Sequence, residues 1–213
     1  EYIFIKGIAS DAIETVLIIA DKDNTDLYLN DGTTVYQTLN AGEYVFIKGG
    51  DFIDGNLYVY SDDPNKKLFA YQGTGKNFAT AGVEGANQGM YFVPALNCAT
   101  KGDVDNIASI NEIGGRDFND QAIVSFITKN GANILVNGSD VTGPPYNASP
   151  TTVVGNSDYV TYKVQNLTGN IKVEADDELY VAYVNTNAAA TTAGFYSGFT
   201  VPPNVDLDAA LKT

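Results

Sequence analysis

The chain has 213 residues, of which 44% are hydrophobic, and a formal net charge of −14. That apolar content is enough for a folded core and excludes a disordered chain, while the acidic surplus would repel a phosphate backbone and excludes nucleic-acid binding. No apolar stretch approaches the roughly 18 residues of a membrane helix, so we expect no membrane insertion.

Short segments of alternating apolar residues follow one another along the chain. The sequence starts inside one of them, EYIFIKG, without an initiator methionine, which predicts a fragment of a longer protein. The next segments are VLIIA, DLYLN, YVFIKG, NLYVYS and KLFAYQG, followed later by AIVSFITK, NILVNG, DYVTYKV, NIKVEA, LYVAYVN and GFYSGFTV. Turn-forming stretches such as NDGTT and DDPNK separate them. Short strands at this spacing, without a helical apolar period, predict antiparallel β-sandwiches.

The second part of the chain repeats the first. VLIIADKDNTDLYLNDGT matches IVSFITKNGANILVNGS, and GEYVFIKGGDFIDGNLYVYSDD matches SDYVTYKVQNLTGNIKVEADD. Asp-Gly and Asn-Gly recur at the same place because such pairs supply the positive φ of a tight hairpin turn. Beyond the Asp-Asp pairs, the match aligns Ala70 and Tyr71 with Ala182 and Tyr183.

The repeat predicts an all-β chain of two tandem antiparallel β-sandwich modules. We expect the first module to cover residues 1–106 and the second to cover 107–201, with a C-terminal linker or tail over 202–213. Loop insertions explain why the spacing between matching residues drifts along the chain.

Few residues are candidates for catalytic chemistry. The chain has no histidine and a single cysteine, Cys98, which excludes histidine-dependent hydrolase triads, zinc sites built on His or Cys, and an internal disulfide. Cys98 follows the apolar run MYFVPALN, and we expect it to be a small buried residue. Asp62–Asp63 and Asp176–Asp177 lie at equivalent places between two strands, so we assign them to turns and not to a glycosidase pair. We therefore predict that the chain is not an enzyme.

Calcium is the metal that the sequence favours. Asp21, Asp23 and Asp26 alternate in one loop, which an ordinary hairpin turn explains. Asp103 and Asp105 alternate in the polar segment CATKGDVDN, which joins the two predicted modules. Calcium takes about six to eight oxygen ligands, and alternating carboxylates can supply several of them, although neither loop has EF-hand spacing. Asp103 and Asp105 are therefore candidate calcium ligands that would stiffen the joint, and we predict no other cofactor.

Aromatic residues are frequent, with 14 Tyr, 10 Phe and no Trp. Because alternating strands bury one face, we expect most of these rings to lie in the core. An exposed row of rings could instead stack on sugar rings. The rings considered are Tyr58, Tyr60, Phe69, Tyr71, Tyr91, Phe92, Tyr180, Tyr183, Phe195, Tyr196 and Phe199.

Longer motifs carry a resemblance over roughly residues 13–200. KLFAYQGTG and ANQGMYFVPALNCATKGDVDNIASINEIG, with the matching motifs of the second copy, resemble modules of very large cell-surface adhesins secreted by gliding and marine bacteria of the Bacteroidetes type. The strand pattern is also similar to the β-domain named for IgGFc-binding protein. The resemblance implies a secreted, multi-domain surface protein used in attachment or gliding. It does not imply immunoglobulin binding, and no catalytic motif is carried over.

These observations predict a structural or display segment of a secreted bacterial surface adhesin, located outside the cell, whose partners are neighbouring modules of the same long chain. One alternative is a module that binds a surface glycan or a protein ligand, and a less favoured one is an accessory domain of a glycoside hydrolase. An exposed aromatic row would favour binding, a polar surface would favour the spacer, and carboxylates facing across a cleft would favour the enzyme.

Overall fold

A computed structural model describes residues 1–74, 77–80, 83–86, 89–96, 101–118, 121–187 and 190–195. Within these residues the regular elements are β-strands, which pair antiparallel, and one 3-10 turn over Gly49–Asp51. The prediction of an all-β, antiparallel sandwich architecture is confirmed. In the described part of the chain, no helix is long and apolar enough to cross a membrane. Cys98 and the predicted tail over 202–213 lie outside the described residues.

The described residues of the first half of the chain, within 1–96, form ten strands. They are β1 Tyr2–Ile5, β2 Thr15–Ala20, β3 Thr25–Leu29, β4 Gln37–Leu39, β5 Tyr44–Lys48, β6 Asn56–Tyr60, β7 Leu68–Thr74, β8 Asn77–Thr80, β9 Val83–Ala86 and β10 Gly89–Val93. Two four-stranded sheets have the orders β1-β6-β3-β4 and β10-β7-β2-β5, and β8 pairs with β9. The core packs inward side chains of both sheets together, including Val16, Ile18, Leu57 and Val59, each fully buried.

The second half (residues 101–195) contains the other ten strands. They are β11 Lys101–Ile107, β12 Glu112–Ile113, β13 Arg116–Asp117, β14 Gln121–Lys129, β15 Ile134–Val136, β16 Ser139–Asp140, β17 Thr151–Thr152, β18 Tyr159–Val164, β19 Ile171–Asn187 and β20 Ala190–Phe195. The long strand β19 pairs first with β11 and β15 and then, further along, with β14 and β20. A separate core includes Phe126, Val136, Val173 and Val181, each fully buried.

The two halves have corresponding strand orders. In the first half the sheets read β1-β6-β3-β4 and β10-β7-β2-β5. In the second half, β11, the first part of β19, β15 and β16 follow the first order, and β20, the last part of β19, β14 and β18 follow the second. The first part of β19 therefore corresponds to β6 and its last part to β7. This correspondence is what an internal repeat requires.

The two Asp-Asp pairs do not occupy equivalent structures. Asp62 and Asp63 lie in the loop between β6 and β7, as predicted, but Asp176 and Asp177 lie inside β19, so the prediction of a turn there was wrong. In the first half Pro64 follows the pair, and proline has no N–H group to donate to a strand ladder. The second half has no proline at this place, and the strand continues without a break.

The sequence match between β7 and β19 pairs residues that lie on opposite faces of their sheets. Ala70 lies in the core of the first half and faces Ile18 on β2. In the second half Val181 lies in the core and faces Phe126, whereas Ala182 lines the space between the halves. The alignment of Ala70 with Ala182 was therefore wrong, because a slip of one residue moves a side chain to the opposite face of a sheet.

The halves are joined by a buried apolar contact, which we call the joining cluster. Its side chains, at most 5% exposed, come from the outer faces of two sheets: Ile3 and Tyr58 from the first half, and Ile127, Val153, Tyr159 and Tyr180 from the second. Beside it, the Thr161 hydroxyl donates to Asn56 Oδ1 at 2.8 Å and Lys163 Nζ donates to the Lys6 carbonyl at 2.6 Å. Side-chain packing therefore fixes one half against the other.

The division at residue 106 stays a prediction. Residues Lys101–Ile107 form β11, which pairs with β19 of the second half. This pairing favours a boundary ahead of Lys101, because a strand that completes a sheet belongs with that sheet.

We predict that Gly155→Ala weakens the contact between the halves. Gly155 has a φ of +88°, and a Cβ there would lie 2.1 Å from the carbonyl oxygen of Asn30 across the interface. Gly169→Ala is the matched control, because Gly169 also has a positive φ, of +71°, but has nothing within 4 Å of the added carbon. Both variants carry the left-handed strain of about 1–2 kcal/mol. We expect urea unfolding to show a clearly larger loss for Gly155→Ala, and equal losses would contradict the backbone clash.

Candidate functional site

One outer sheet face of the first half is apolar and uncovered. We call it the aromatic face. Its residues are the outward side chains of β2, β5, β7 and β10: Leu17, Ile19, Tyr44, Phe46, Phe69, Tyr71, Met90 and Phe92. The strand register places Phe92, Tyr71, Leu17 and Phe46 in one row across all four strands. Phe69, Ile19 and Tyr44 form a second row beside it.

Strand alternation explains why these side chains point outward. In β2, Val16, Ile18 and Ala20 fill the core, so Leu17 and Ile19 must face the other way. The same period of two applies along the other three strands. Two pairs of rings meet edge to face, Tyr44 with Phe46 at 5.5 Å and Tyr71 with Phe92 at 5.6 Å between centroids.

Most of the exposed large hydrophobic side chains of the described residues lie on the aromatic face. Of the eight exposed large hydrophobic side chains in the described residues, five lie here: Tyr44 (59%), Met90 (53%), Phe69 (50%), Phe46 (47%) and Phe92 (40%). The largest apolar patch of a typical monomer covers about 300–600 Å² and is often functional. Phe, Tyr and Met are also the residue types that are enriched in protein interfaces.

The aromatic face has little charge although the chain is strongly acidic. A third row across the sheet contains Met90, Gly73, Thr15 and Lys48. Lys48 is the one charged residue among the outward positions of these three rows, and its Nζ donates to Thr15 Oγ1 at 3.1 Å. The chain carries 26 Asp and Glu residues, none of which occupies these positions. Depletion of charge is typical of the core of an interface.

The sequence prediction that most aromatic rings are buried was only partly right. Tyr58 and Tyr180 are buried, but Phe69 and Phe92 are exposed. Tyr196 and Phe199 lie outside the described residues. A signal for the exposed face was present in LFAYQG of β7, where the inward and the outward positions are both apolar. A strand with two apolar faces belongs to a sheet that needs a cover on both sides.

Two buried carboxylates in the described residues are closed off from any cleft. Glu14 is fully buried, and its carboxylate accepts hydrogen bonds from the backbone of Gly7 at 3.1 Å and Ala9 at 3.0 Å and from the Thr74 hydroxyl at 3.1 Å. Burial raises the pKa of Glu14, although these hydrogen bonds and the charge of Lys163 act in the opposite direction. The other carboxylate, Glu178, accepts from the Tyr159 hydroxyl at 2.6 Å.

The cavity beside Lys163 and Gly7 has a volume of about 20 Å³. That is room for about one water molecule and not for a sugar ring. Lys163 is partly buried, and this loss of hydration lowers its pKa. Glu14 and Glu178 are therefore each held by donors of their own half, and only Lys163 among these groups donates a hydrogen bond across the contact, to the Lys6 carbonyl.

The acidic loops of the first half are accounted for by local hydrogen bonds. Asp63 accepts from the backbone N–H of Asn65 at 2.9 Å, and that bond is the main cause of its lowered pKa. Asp21 accepts from the backbone of Lys67 at 2.6 Å, and Asp23 accepts from the backbone of Ala41 at 3.0 Å. These carboxylates point to different partners, which is the arrangement expected of ordinary turns.

Asp103 and Asp105 lie in strand β11, and Asp103 is the register partner of Glu174 on β19. Glu174 already forms an ion pair with Lys172 at 2.7 Å. The described residues contain no group of three or more Cys, Asp or Glu side chains arranged to hold a metal ion. Calcium binding at Asp103 and Asp105 stays a prediction.

The calcium prediction can be checked by thermal unfolding in millimolar calcium and in chelator. If the ion binds the folded chain, it adds about 2.7 kcal/mol when its concentration is 100 times its dissociation constant. We then expect a higher unfolding temperature with calcium, and loss of that rise in the double variant Asp103→Asn, Asp105→Asn. An unchanged unfolding temperature in the wild type would rule calcium out.

We predict that Glu14 makes stability depend on pH. Because the pKa of Glu14 is raised in the folded chain, the folded state binds its proton more tightly than the unfolded state does. This contribution is fully present below the ordinary carboxyl pKa and is lost as the pH rises through the raised value. We expect the free energy of unfolding to fall over that window and the fall to be flattened in Glu14→Gln. Glu43→Gln, an exposed carboxylate change, is the control, and an equal slope in wild type and Glu14→Gln would contradict the assignment.

Comparison with known proteins identifies the family. No curated protein and no solved structure matches the chain significantly. Residues 1–185, which include the aromatic face and the joining cluster, match the family described as IgGFc binding protein. That description is of a binding family and names no reaction. Because the match covers most of the 213 residues, the chain belongs to the IgGFc binding protein family.

Proposed function

We propose that the chain is a non-enzymatic binding module of a secreted surface protein, and that the aromatic face is the surface that contacts its protein partner. The observation that supports this most strongly is the cluster of five exposed large apolar side chains on one four-stranded sheet. Burying such a face is favourable by about 25 cal/mol for each Å² of apolar surface removed from water. An unpartnered face of this kind therefore favours association with another molecule.

The geometry favours the binding module over the plain spacer. A spacer needs a surface that stays in water, and its outer strand positions would be polar. In β7 the outward positions instead hold Phe69 and Tyr71, and in β5 they hold Tyr44 and Phe46. A protein that only separated other domains would gain nothing from this surface and would risk aggregation.

A protein ligand is favoured over a glycan. Sugar recognition needs polar groups beside the stacking ring, because each buried hydroxyl must find a hydrogen-bond partner. The two central rows of the aromatic face have only the hydroxyls of Tyr44 and Tyr71 as polar side-chain groups. The family description as a binding protein supports the same choice.

The wider setting is an extracellular adhesion protein in which this chain is one of several modules. The resemblance of the long motifs to bacterial surface adhesins supports attachment or gliding as the cellular role. An accessory domain of a glycoside hydrolase is less favoured, because the two described buried carboxylates, Glu14 and Glu178, are held by internal donors.

We predict that Phe46→Lys and Phe69→Lys each strongly weaken binding without unfolding the chain. Both side chains are about half exposed, so the folded state has room for lysine, while an interface core does not accept an unpaired charge. Loss of a central aromatic anchor costs about 2 kcal/mol or more, which is roughly a 30-fold loss of affinity. The measurement is capture of extracellular proteins on the immobilised chain, followed by titration of the captured protein.

Tyr36→Lys is the matched control, because Tyr36 is 42% exposed but lies outside the aromatic face. Binding that survives in Phe46→Lys and Phe69→Lys would contradict the proposal. A glycan array with the same three variants tests the alternative ligand: a glycan signal that both face variants lose would reassign the face to carbohydrate.

A further inference from the structure

The contact between the two halves is made by two different faces. The first half contributes the outer face of β1 and β6, with Ile3 and Tyr58 in the joining cluster. The second half contributes the outer face of β14, β18 and β19, with Ile127 and Tyr180. The halves therefore meet head to tail, and each half has one face of each type.

The covered face of the second half corresponds to the aromatic face of the first. The strands β14, β18, the last part of β19 and β20 correspond to β2, β5, β7 and β10. Ile127 and Tyr180 are register partners on β14 and β19 and point outward, as do the register partners Ile19 and Phe69 on the corresponding strands β2 and β7. Tyr180 is 1% exposed because the first half covers it, whereas Phe69 is 50% exposed.

From this correspondence we propose that the aromatic face is the docking surface for a further β-sandwich module placed ahead of Glu1 in the same polypeptide. That module would present its own β1-β6 face, with aliphatic and tyrosine side chains, as the first half does to the second. The proposal rests on the proposed function, in that the partner of the face is a protein. A head-to-tail contact does not close on itself, so the same packing can be applied again.

The opposite end of the chain differs from the aromatic face in chemistry. In the second half the face that corresponds to β1-β6 contains Lys172 and Glu174, paired at 2.7 Å, where the first half has Tyr58 and Tyr60. A second copy of this chain has no suitable face to offer. Its β1-β6 face is buried in the joining cluster, and the corresponding face of its second half is charged. The occupant that fits is a separate module whose β1-β6 face is apolar.

The test extends the full chain at its start. A second copy of residues 1–100 is fused ahead of the 213-residue chain, so that the natural joint leads into Glu1. The chain has no tryptophan, so Phe46→Trp in the original copy gives a single fluorescent reporter on the aromatic face. We expect the tryptophan emission to shift to the blue and acrylamide quenching to fall several-fold relative to Phe46→Trp in the unextended chain.

The control is the same extended chain with Ile3→Lys and Tyr58→Lys in the added copy, which should leave the reporter exposed. A reporter that stays exposed while the added copy unfolds cooperatively would overturn the inference. An added copy that fails to fold beside a folded original would also count against it, because the aromatic face would then give its neighbour no support.

The outcomes separate this inference from the proposed function. If the reporter stays exposed in the extended chain while the unextended chain still captures a protein in solution through Phe46 and Phe69, this inference fails and the proposed function stands. If the added module covers the reporter and also blocks that capture, the neighbouring module occupies the aromatic face and this inference stands.

Discussion

Several strands of this chain are apolar on both faces, and the rest of the structure depends on that constraint. A sheet built from such strands cannot leave either side in water without a loss of stability. One side is covered within each half, where Val16 and Ile18 or Val124 and Phe126 fill a core. The other side of two of the sheets is covered where the halves meet. The aromatic face is an apolar sheet side that nothing in the described residues covers.

The long strand β19 shows how the two halves solve one problem differently. In the first half a loop with Pro64 separates β6 from β7, so that two short strands enter two sheets. In the second half one 17-residue strand passes from one sheet to the other. Both arrangements give the same strand order, because the order follows from which apolar sides must face each other and not from the continuity of the backbone.

Two charged groups, Lys163 of the second half and Glu14 of the first, interact near the contact between the halves. Lys163 reaches the Lys6 carbonyl, and Glu14 accepts from two backbone N–H groups of the segment that follows β1. Removing one partner of such a group leaves a buried charge without compensation, which is more costly than the gain from the intact pair. The hydrogen bond of Lys163 therefore favours one relative orientation of the halves, while those of Glu14 hold the first half together.

The sequence by itself determined the fold class and the approximate strands. Alternation and turn chemistry are local, and they predicted the strands in VLIIA and KLFAYQG. The tight hairpin turn forms at Asn137-Gly138, where both residues have positive φ, but the prediction of the same turn at Asp31-Gly32 was wrong, because the positive φ there belongs to Asn30. The corresponding order of strands in the two halves agrees with the predicted repeat, although the residues aligned between β7 and β19 lie on opposite faces of their sheets. A shift of one residue along a strand moves each side chain to the opposite face of the sheet, and two strands that are apolar on both faces align almost equally well in either register.

Only the tertiary structure decided which apolar faces are covered. Phe69 and Tyr180 lie on the outward faces of the corresponding strands β7 and β19 and have similar chemistry, and one is half exposed while the other is buried. The difference comes from Ile3 and Tyr58, which are distant in sequence from Tyr180 and pack against it because the halves dock head to tail. Likewise Asp176 and Asp177 lie in a strand and not in a turn, because Asp176 and Asn133 are hydrogen-bonded across the sheet. Burial depends on what packs against a residue from elsewhere in the chain, and a local pattern carries no information about that.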